Sequence, residues 1–210
     1  MGLQNRVTPF GEIVAADWRG GWMGNRGCLH DAAGRIGRAR WRGKAWICCR
    51  LAFRGRWRPP MPPKGAPTRY TALFFWDEVT ALAAGHRPCG ECRRADLGRF
   101  RAAWAAAGLP GRRAAEIDAC LHGARLTPER RPQRPGCRPD ALPEGAMAEP
   151  AAVPGTAVLR WDGRWLAWAD PGYREIPAPA GPARLLTPEP IVRALAAGYR
   201  PELRRTPGER

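Results

Sequence analysis

A single C-x2-C constrains this chain more than any other feature of it. It lies in residues 70–94, Y-T-A-L-F-F-W-D-E-V-T-A-L-A-A-G-H-R-P-C-G-E-C-R-R. Residues 70–76 are aromatic and apolar enough for a short buried strand, after which Asp77 can cap a helix carrying Glu78 in its first turn. Gly85 ends that helix and Pro88 forbids its continuation. Cys89 and Cys92 are therefore expected on a tight turn leading into a second helix that begins near Arg93. Two thiols at that spacing can converge on one tetrahedral zinc ion, with Zn–S bonds of roughly 2.3 Å. Neighbouring Arg87, Arg93 and Arg94 favour the thiolate form.

Upstream, residues 45–53 (A-W-I-C-C-R-L-A-F) make the best strand in the chain by β-propensity. Adjacent residues of a strand face opposite ways, so Cys48 and Cys49 are expected to send at most one sulfur to the ion. The run A-L-A-A-G-H-R-P-C-G-E-C-R resembles the metal-binding domain of the Ada family of DNA methylphosphotriester repair proteins. In that family a helix ending A-L-A-A-G and a following R-P-C-x-x-C deliver one pair of zinc cysteines, and an upstream C-R-P-S-C delivers the other. Here Cys49-Arg50 matches the C-R of the upstream motif, Phe53 stands where its second cysteine would be, His86 replaces the usual Phe, and Arg94 replaces a Pro. Over residues 45–94 the resemblance implies zinc bound by Cys49, Cys89 and Cys92. It also implies DNA as partner and Cys49 as the single-turnover acceptor of a methyl group. Cys28, His30, Cys48 and His122 are the candidates for a fourth ligand.

Charge bears on the partner. The chain carries 35 basic and 19 acidic residues, which points toward a polyanion. The excess is localised: residues 1–76 hold fourteen basic and three acidic side chains, whereas residues 141–190 hold four and six. Arg26, Arg40, Arg42, Lys44, Arg50, Arg87, Arg93 and Arg94 are the candidate contacts to nucleic-acid phosphates, with Trp41 among them to stack on bases. Residues 20–27 read as a glycine-rich turn and residues 33–42 as a turn leaving for a strand. Seven cysteines, an odd number, behind a start without a signal-peptide pattern lead to the expectation of a reducing cytoplasm. No apolar run approaches the roughly 20 residues that cross a bilayer.

Beyond the cysteines, residues 93–107 and 114–126 read as helices, with Leu97, Phe100 and Trp104 on one apolar stripe and Ile117 and Leu121 on the other. Asp118 and His122, one turn apart, could orient an imidazole. Residues 127–143 are rich in Pro and Arg and read as a linker. Residues 157–168 form a hairpin around Asp162-Gly163, and Thr187-Pro188-Glu189 opens a closing helix with Thr187 as its cap. That helix ends A-L-A-A-G-Y-R-P, nearly repeating the run before the C-x2-C but without cysteines.

The expected architecture is thus α+β: a basic, β-rich zinc-binding domain over residues 1–126, the linker at 127–143, and a hairpin-helix segment at 144–210. The expected function is that of a zinc-containing DNA-binding protein with a role in alkylation repair or its regulation. Two other readings stand beside it. One is a non-catalytic structural-zinc module that binds RNA or a protein partner. The other is a zinc nucleobase deaminase, whose P-C-x-x-C is matched here while its H-x-E is absent.

Overall fold

A computed structural model of the chain describes residues 2–56, 59–63, 65–66 and 70–204. The fold is α+β, with two six-stranded sheets and four α-helices among these residues. The first sheet contains β1 (Gln4–Val7), β2 (Ile13–Ala15), β3 (Trp22–Asn25), β4 (Ile47–Cys49), β5 (Leu73–Phe75) and β6 (Arg87–Pro88), ordered β2-β1-β5-β3-β4-β6. Helix α1 (Glu78–Ala83) lies between β5 and β6 in sequence, followed by α2 (Arg94–Ala106) and α3 (Ala114–Arg125). The second sheet contains β7 (Gly136–Cys137), β8 (Met147–Pro150), β9 (Val158–Trp161), β10 (Arg164–Trp168), β11 (Tyr173–Ile176) and β12 (Ala183–Leu185), ordered β11-β10-β9-β8-β12-β7. Helix α4 (Glu189–Ala196) closes the chain.

Helix α1 is the hub. Asp77 caps it by accepting from the Thr80 amide at 2.8 Å, and all six of its residues are buried. Only a helix surrounded by protein can be so. Its sides serve different cores. Ala81 joins Val7, Trp22, Leu73 and Phe75 of the first sheet, while Val79 and Ala83 join Trp18, Trp76, Met147, Leu159 and Tyr173. Leu82 meets Phe100, Trp104, Ile117, Leu121, Val158 and Ile191.

That third core runs across the expected domain boundary. The apolar stripes of α2 and α3 need an apolar face to cover, and the second sheet with α4 provides it, so helices assigned to the N-terminal part belong to the C-terminal core. Nor do residues 127–143 behave as a linker between bodies. Within them β7 pairs with β12, the Pro135 carbonyl accepts from the Leu185 amide at 2.8 Å, and Leu142 is buried.

Three other expectations change. The glycine-rich stretch 20–27 contains β3, which lies between β5 and β4 in the first sheet. Gly24 permits this closeness, since a Cβ there would come within 2.1 Å of the Ile47 carbonyl oxygen and 2.8 Å of the Phe75 ring. Residues 33–42 form no strand; an isolated bridge joins Ile36 to His30, and the Arg42 amide bonds to the Arg26 carbonyl at 2.7 Å. The near-repeated A-L-A-A-G runs do end their helices alike. Gly85 and Gly198 take φ of 85° and 104°. Their amides bond to the Leu82 and Leu195 carbonyls, and those of His86 and Tyr199 to the Ala81 and Ala194 carbonyls. At the closing helix Thr187 is not the cap: its hydroxyl accepts from the Met147 amide at 2.9 Å, and Pro188 takes the cap position without a side-chain bond. No helix among the described residues is long and apolar enough to cross a membrane.

Candidate metal centre

Strand alternation decides which sulfur of the 48–49 pair is available. In β3, β4 and β5 the residues Gly24, Cys48 and Leu73 lie in one row, and Met23, Cys49 and Phe74 in the next. The second row continues to Arg6 of β1, which is paired with Phe74. Cys48 is fully buried in the core of the first sheet, while Cys49 lines a cavity of about 530 Å³ together with Arg6, Met23 and Phe74. Strand β6 runs parallel to β4 and pairs Pro88 with Cys48, and the Cys89 amide bonds to the Cys48 carbonyl at 2.9 Å. Cys89 is thereby brought to Cys49, and the turn that follows returns Cys92 to the same place.

The three sulfurs of Cys49, Cys89 and Cys92 lie within 4.8 Å of one another. A tetrahedral zinc centre with Zn–S bonds of roughly 2.3 Å separates its sulfurs by roughly 3.8 Å, so the set fits that ion with little movement. Backbone amides support it: Arg50 N–H donates to the Cys92 sulfur and Glu91 N–H to the Cys89 sulfur, each at 3.4 Å. Such bonds favour sulfur in its anionic form. Hydrogen bonds from the Cys49 and Cys92 thiols hold the Cys89 thiol well below the usual range, whereas hydrogen bonding to Cys89 and Cys92, with burial, pushes Cys49 up. All three line the cavity, so the space beside them opens into it.

Several candidate ligands fall elsewhere. Cys48 is excluded by the alternation just described. Its sulfur accepts from Arg93 Nη1 at 3.6 Å, and burial raises its pKa. His30 has both ring nitrogens engaged, with the Thr71 hydroxyl at 2.7 Å and the Pro62 carbonyl at 3.0 Å, and the Cys28 sulfur points to the His30 carbonyl at 3.9 Å. His122 packs edge-on against Trp41 at 4.6 Å, and Asp118 does not orient it: both Asp118 oxygens bind Arg87, at 2.8 and 2.6 Å. His86 occupies an aromatic place instead, fully buried between Phe75 and Trp46. Among the described residues, then, no histidine joins the three thiols.

The arginines sort in the same way. Arg26, Arg87 and Arg93 are 2%, 5% and 2% exposed, so none of them stands on the open surface that a duplex backbone would lie against. Arg87 is committed to Asp118, and Arg93 to Glu78 at 2.8 Å and Asp96 at 2.7 Å. Arg40, Arg42, Lys44, Arg50 and Arg94 are exposed. Of these only Arg50 borders the cavity of the three thiols. The other basic residues on its walls, Arg6, Arg19 and Arg56, went unrecognised in the sequence. Arg6 could have been found from β1, whose partner β5 it faces. Arg56 reaches the site because positive φ at Arg54 and Gly55 turns the chain back, and it pairs with Glu91 of the C-G-E-C turn at 2.6 Å. Phe53, in the position that the Ada pattern gives to a second cysteine, also lines this cavity.

Comparison of the chain with protein-family models, with curated proteins and with solved structures found no match in any of the three.

Proposed function

We propose that Cys49, Cys89 and Cys92 hold one zinc ion and that the chain binds DNA by seating a backbone phosphate in the cavity before them. One observation carries this reading: three sulfurs from two separated segments meet at the wall of a cavity bordered by Arg6, Arg19, Arg50 and Arg56. A bound zinc ion would keep the thiols deprotonated at neutral pH while leaving sulfur nucleophilic. The arginine side chains supply the charge complement to phosphate. Cys49 is the candidate acceptor in alkyl repair. Its sulfur would attack the methyl carbon of a methylphosphotriester, forming an S–C bond. The C–O bond then breaks and its electron pair stays on the phosphate oxygen, leaving a diester anion near Arg50.

A structural role for the same ion has its own support, because the thiols tie the end of β4 to the turn that starts α2. One set of measurements separates the readings. Metal analysis of the purified chain should give one zinc per chain, lost in Cys49→Ser, Cys89→Ser and Cys92→Ser. Duplex DNA binding should weaken steeply with salt and weaken further in Arg19→Ala and Arg50→Ala. Mass spectrometry after incubation with methylphosphotriester DNA should show one added methyl on Cys49. Zinc without DNA affinity would leave only the structural role, and binding without methyl gain would leave a reader of DNA that does not repair it.

A further inference from the structure

A second cavity, of about 460 Å³, lies apart from the three thiols, between the β1–β2 turn, the segment joining β3 to β4, and the end of α3 with the residues that follow it. Its wall holds five arginines, Arg26, Arg40, Arg125, Arg130 and Arg134, against one acid, Glu12. Two of them are interior cations: Arg26 is 2% exposed and Arg125 5%. Neither is neutralised. Arg26 donates through Nε to His86 Nε2 at 3.2 Å and through Nη1 to the Gly11 carbonyl at 2.9 Å, and its Nη2 has no partner. Arg125 donates to the carbonyls of Gly85 and Lys44, each at 2.8 Å. Both guanidinium carbons lie 4.2 Å from the Trp46 ring centroid. Among the described residues no carboxylate comes within ion-pairing distance of any of the five arginines.

Burying a guanidinium opposite carbonyls and an aromatic ring, with one nitrogen unmatched, is unfavourable unless a counter-charge is supplied. Every other deeply buried arginine here has one: Arg87 has Asp118, and Arg93 has Glu78 and Asp96. Gly11, whose φ of 79° favours glycine, lies beside the free nitrogen: a Cβ there would stand in ordinary contact, 3.7 Å from Arg26 Nη2. Exposed Arg40, bonded to the Gly37 carbonyl, and exposed Arg130, 4.8 Å from the Trp41 ring centroid, line the same cavity and add positive charge at its mouth. Phe10 and Trp41 supply an apolar surface for the rest of such a ligand. The cavity has the size of small-molecule sites.

We infer that this cavity binds a small phosphorylated molecule, its terminal phosphate held by Arg26 with Arg40 and its body lying against Phe10 and Trp41. A terminal phosphate suits the site because its charge answers several arginines and its oxygens match the guanidinium edge. A phosphate within a polymer backbone would need both flanking nucleotides to enter a site whose principal cation is almost wholly enclosed.

The test uses the full chain, with inorganic phosphate, adenosine monophosphate, acetate and an unphosphorylated oligonucleotide as probes at constant ionic strength. Calorimetry should show saturable one-to-one binding of adenosine monophosphate, competed by phosphate and not by acetate or the oligonucleotide. Either phosphorylated probe should raise the melting temperature. Arg26→Met should abolish both effects, and Arg40→Ala, on the surface and therefore folded, should weaken binding at least tenfold. Cys49→Ser should leave binding unchanged, so this result stands or falls apart from the metal centre. Absence of saturable binding, acetate competing equally well, or full affinity in Arg40→Ala would overturn the inference. Should Arg26→Met fail to fold, the Arg40→Ala result decides alone.

Discussion

Arg93 directly follows the C-x2-C, where an exposed arginine would touch nucleic acid and a buried one would hold the fold. The structure buries it completely, with Glu78 and Asp96 on its guanidinium and the Trp22 ring 4.1 Å away. Replacement by Met keeps the packing over Trp22 and removes the charge. Breaking a buried ion pair from one side typically costs about 3–5 kcal/mol, because the other charge is left uncompensated. Here the two carboxylates do not suffer equally. Asp96 retains Arg99 at 2.6 Å and Arg50 at 3.7 Å. Glu78 loses its one cation among the described residues and keeps only the Tyr199 hydroxyl at 2.5 Å and the Glu202 amide at 3.0 Å. With one orphaned carboxylate rather than two, the lower end applies, about 3 kcal/mol. For a chain of this length that lowers the melting temperature by roughly 6–12 °C. Arg93→Met combined with Glu78→Gln should recover most of the loss, because the orphaned charge is then gone. Thermal and urea unfolding of the three variants, with DNA titrations on folded protein, give the answer. If Arg93→Met melts with the wild type and weakens DNA binding instead, or if the double variant is the sum of its parts, the structural assignment of Arg93 is wrong.

Three further changes have clear expected outcomes. Phe53→Cys should add a fourth sulfur to the centre, tightening zinc retention against a chelator at least tenfold; unchanged release would show that residue 53 cannot reach the ion. Gly24→Ala forces a Cβ to 2.1 Å from the Ile47 carbonyl, so β3 and β4 must part and the chain should lose about 3 kcal/mol or more in urea unfolding, beyond the ordinary range for overpacking. Burial pushes the Asp77 carboxyl up to about 6 from 3.8, against hydrogen bonds from Thr80. The folded state therefore holds this proton more tightly than the unfolded chain, and the contribution is full below about pH 4 and lost as pH rises through about 6. Relative to Asp77→Asn, which can still cap the helix, the wild type should lose up to roughly 3 kcal/mol across that interval; parallel stability curves would rule this out.

What could be read from the sequence was local. The Asp77 cap, the Gly85 stop, the C-x2-C turn, the bounds of α2 and α3 and the Asp162-Gly163 hairpin each depend on a few adjacent residues, and the structure has them within a residue or two. Strand alternation allowed one sulfur of the 48–49 pair without saying which, the Ada-like spacing pointed to Cys49 with Cys89 and Cys92, and those three sulfurs are the ones that meet. Positions set by distant partners were not legible. Gly24 reads as a turn glycine until Ile47 is known to lie against it. Arg87 and Arg93 look like the exposed arginines around them, because composition carries no sign of the buried Asp118 or Glu78 that decides their place. The second sheet's claim on α2 and α3 was hidden for the same reason: a helix stripe says that something covers it, not what.

The Tyr199 hydroxyl bond to Glu78 reaches across 121 positions of the chain to the acid that fixes Arg93, one residue past the last thiol. An excised piece ending near residue 126 would carry every candidate ligand, yet would lack the distant phenol that steadies their neighbour and most of the wall on which α2 rests. The sulfur cluster thus behaves as a keystone set from both ends of the polypeptide, and shortening the tail should loosen it without removing a single cysteine.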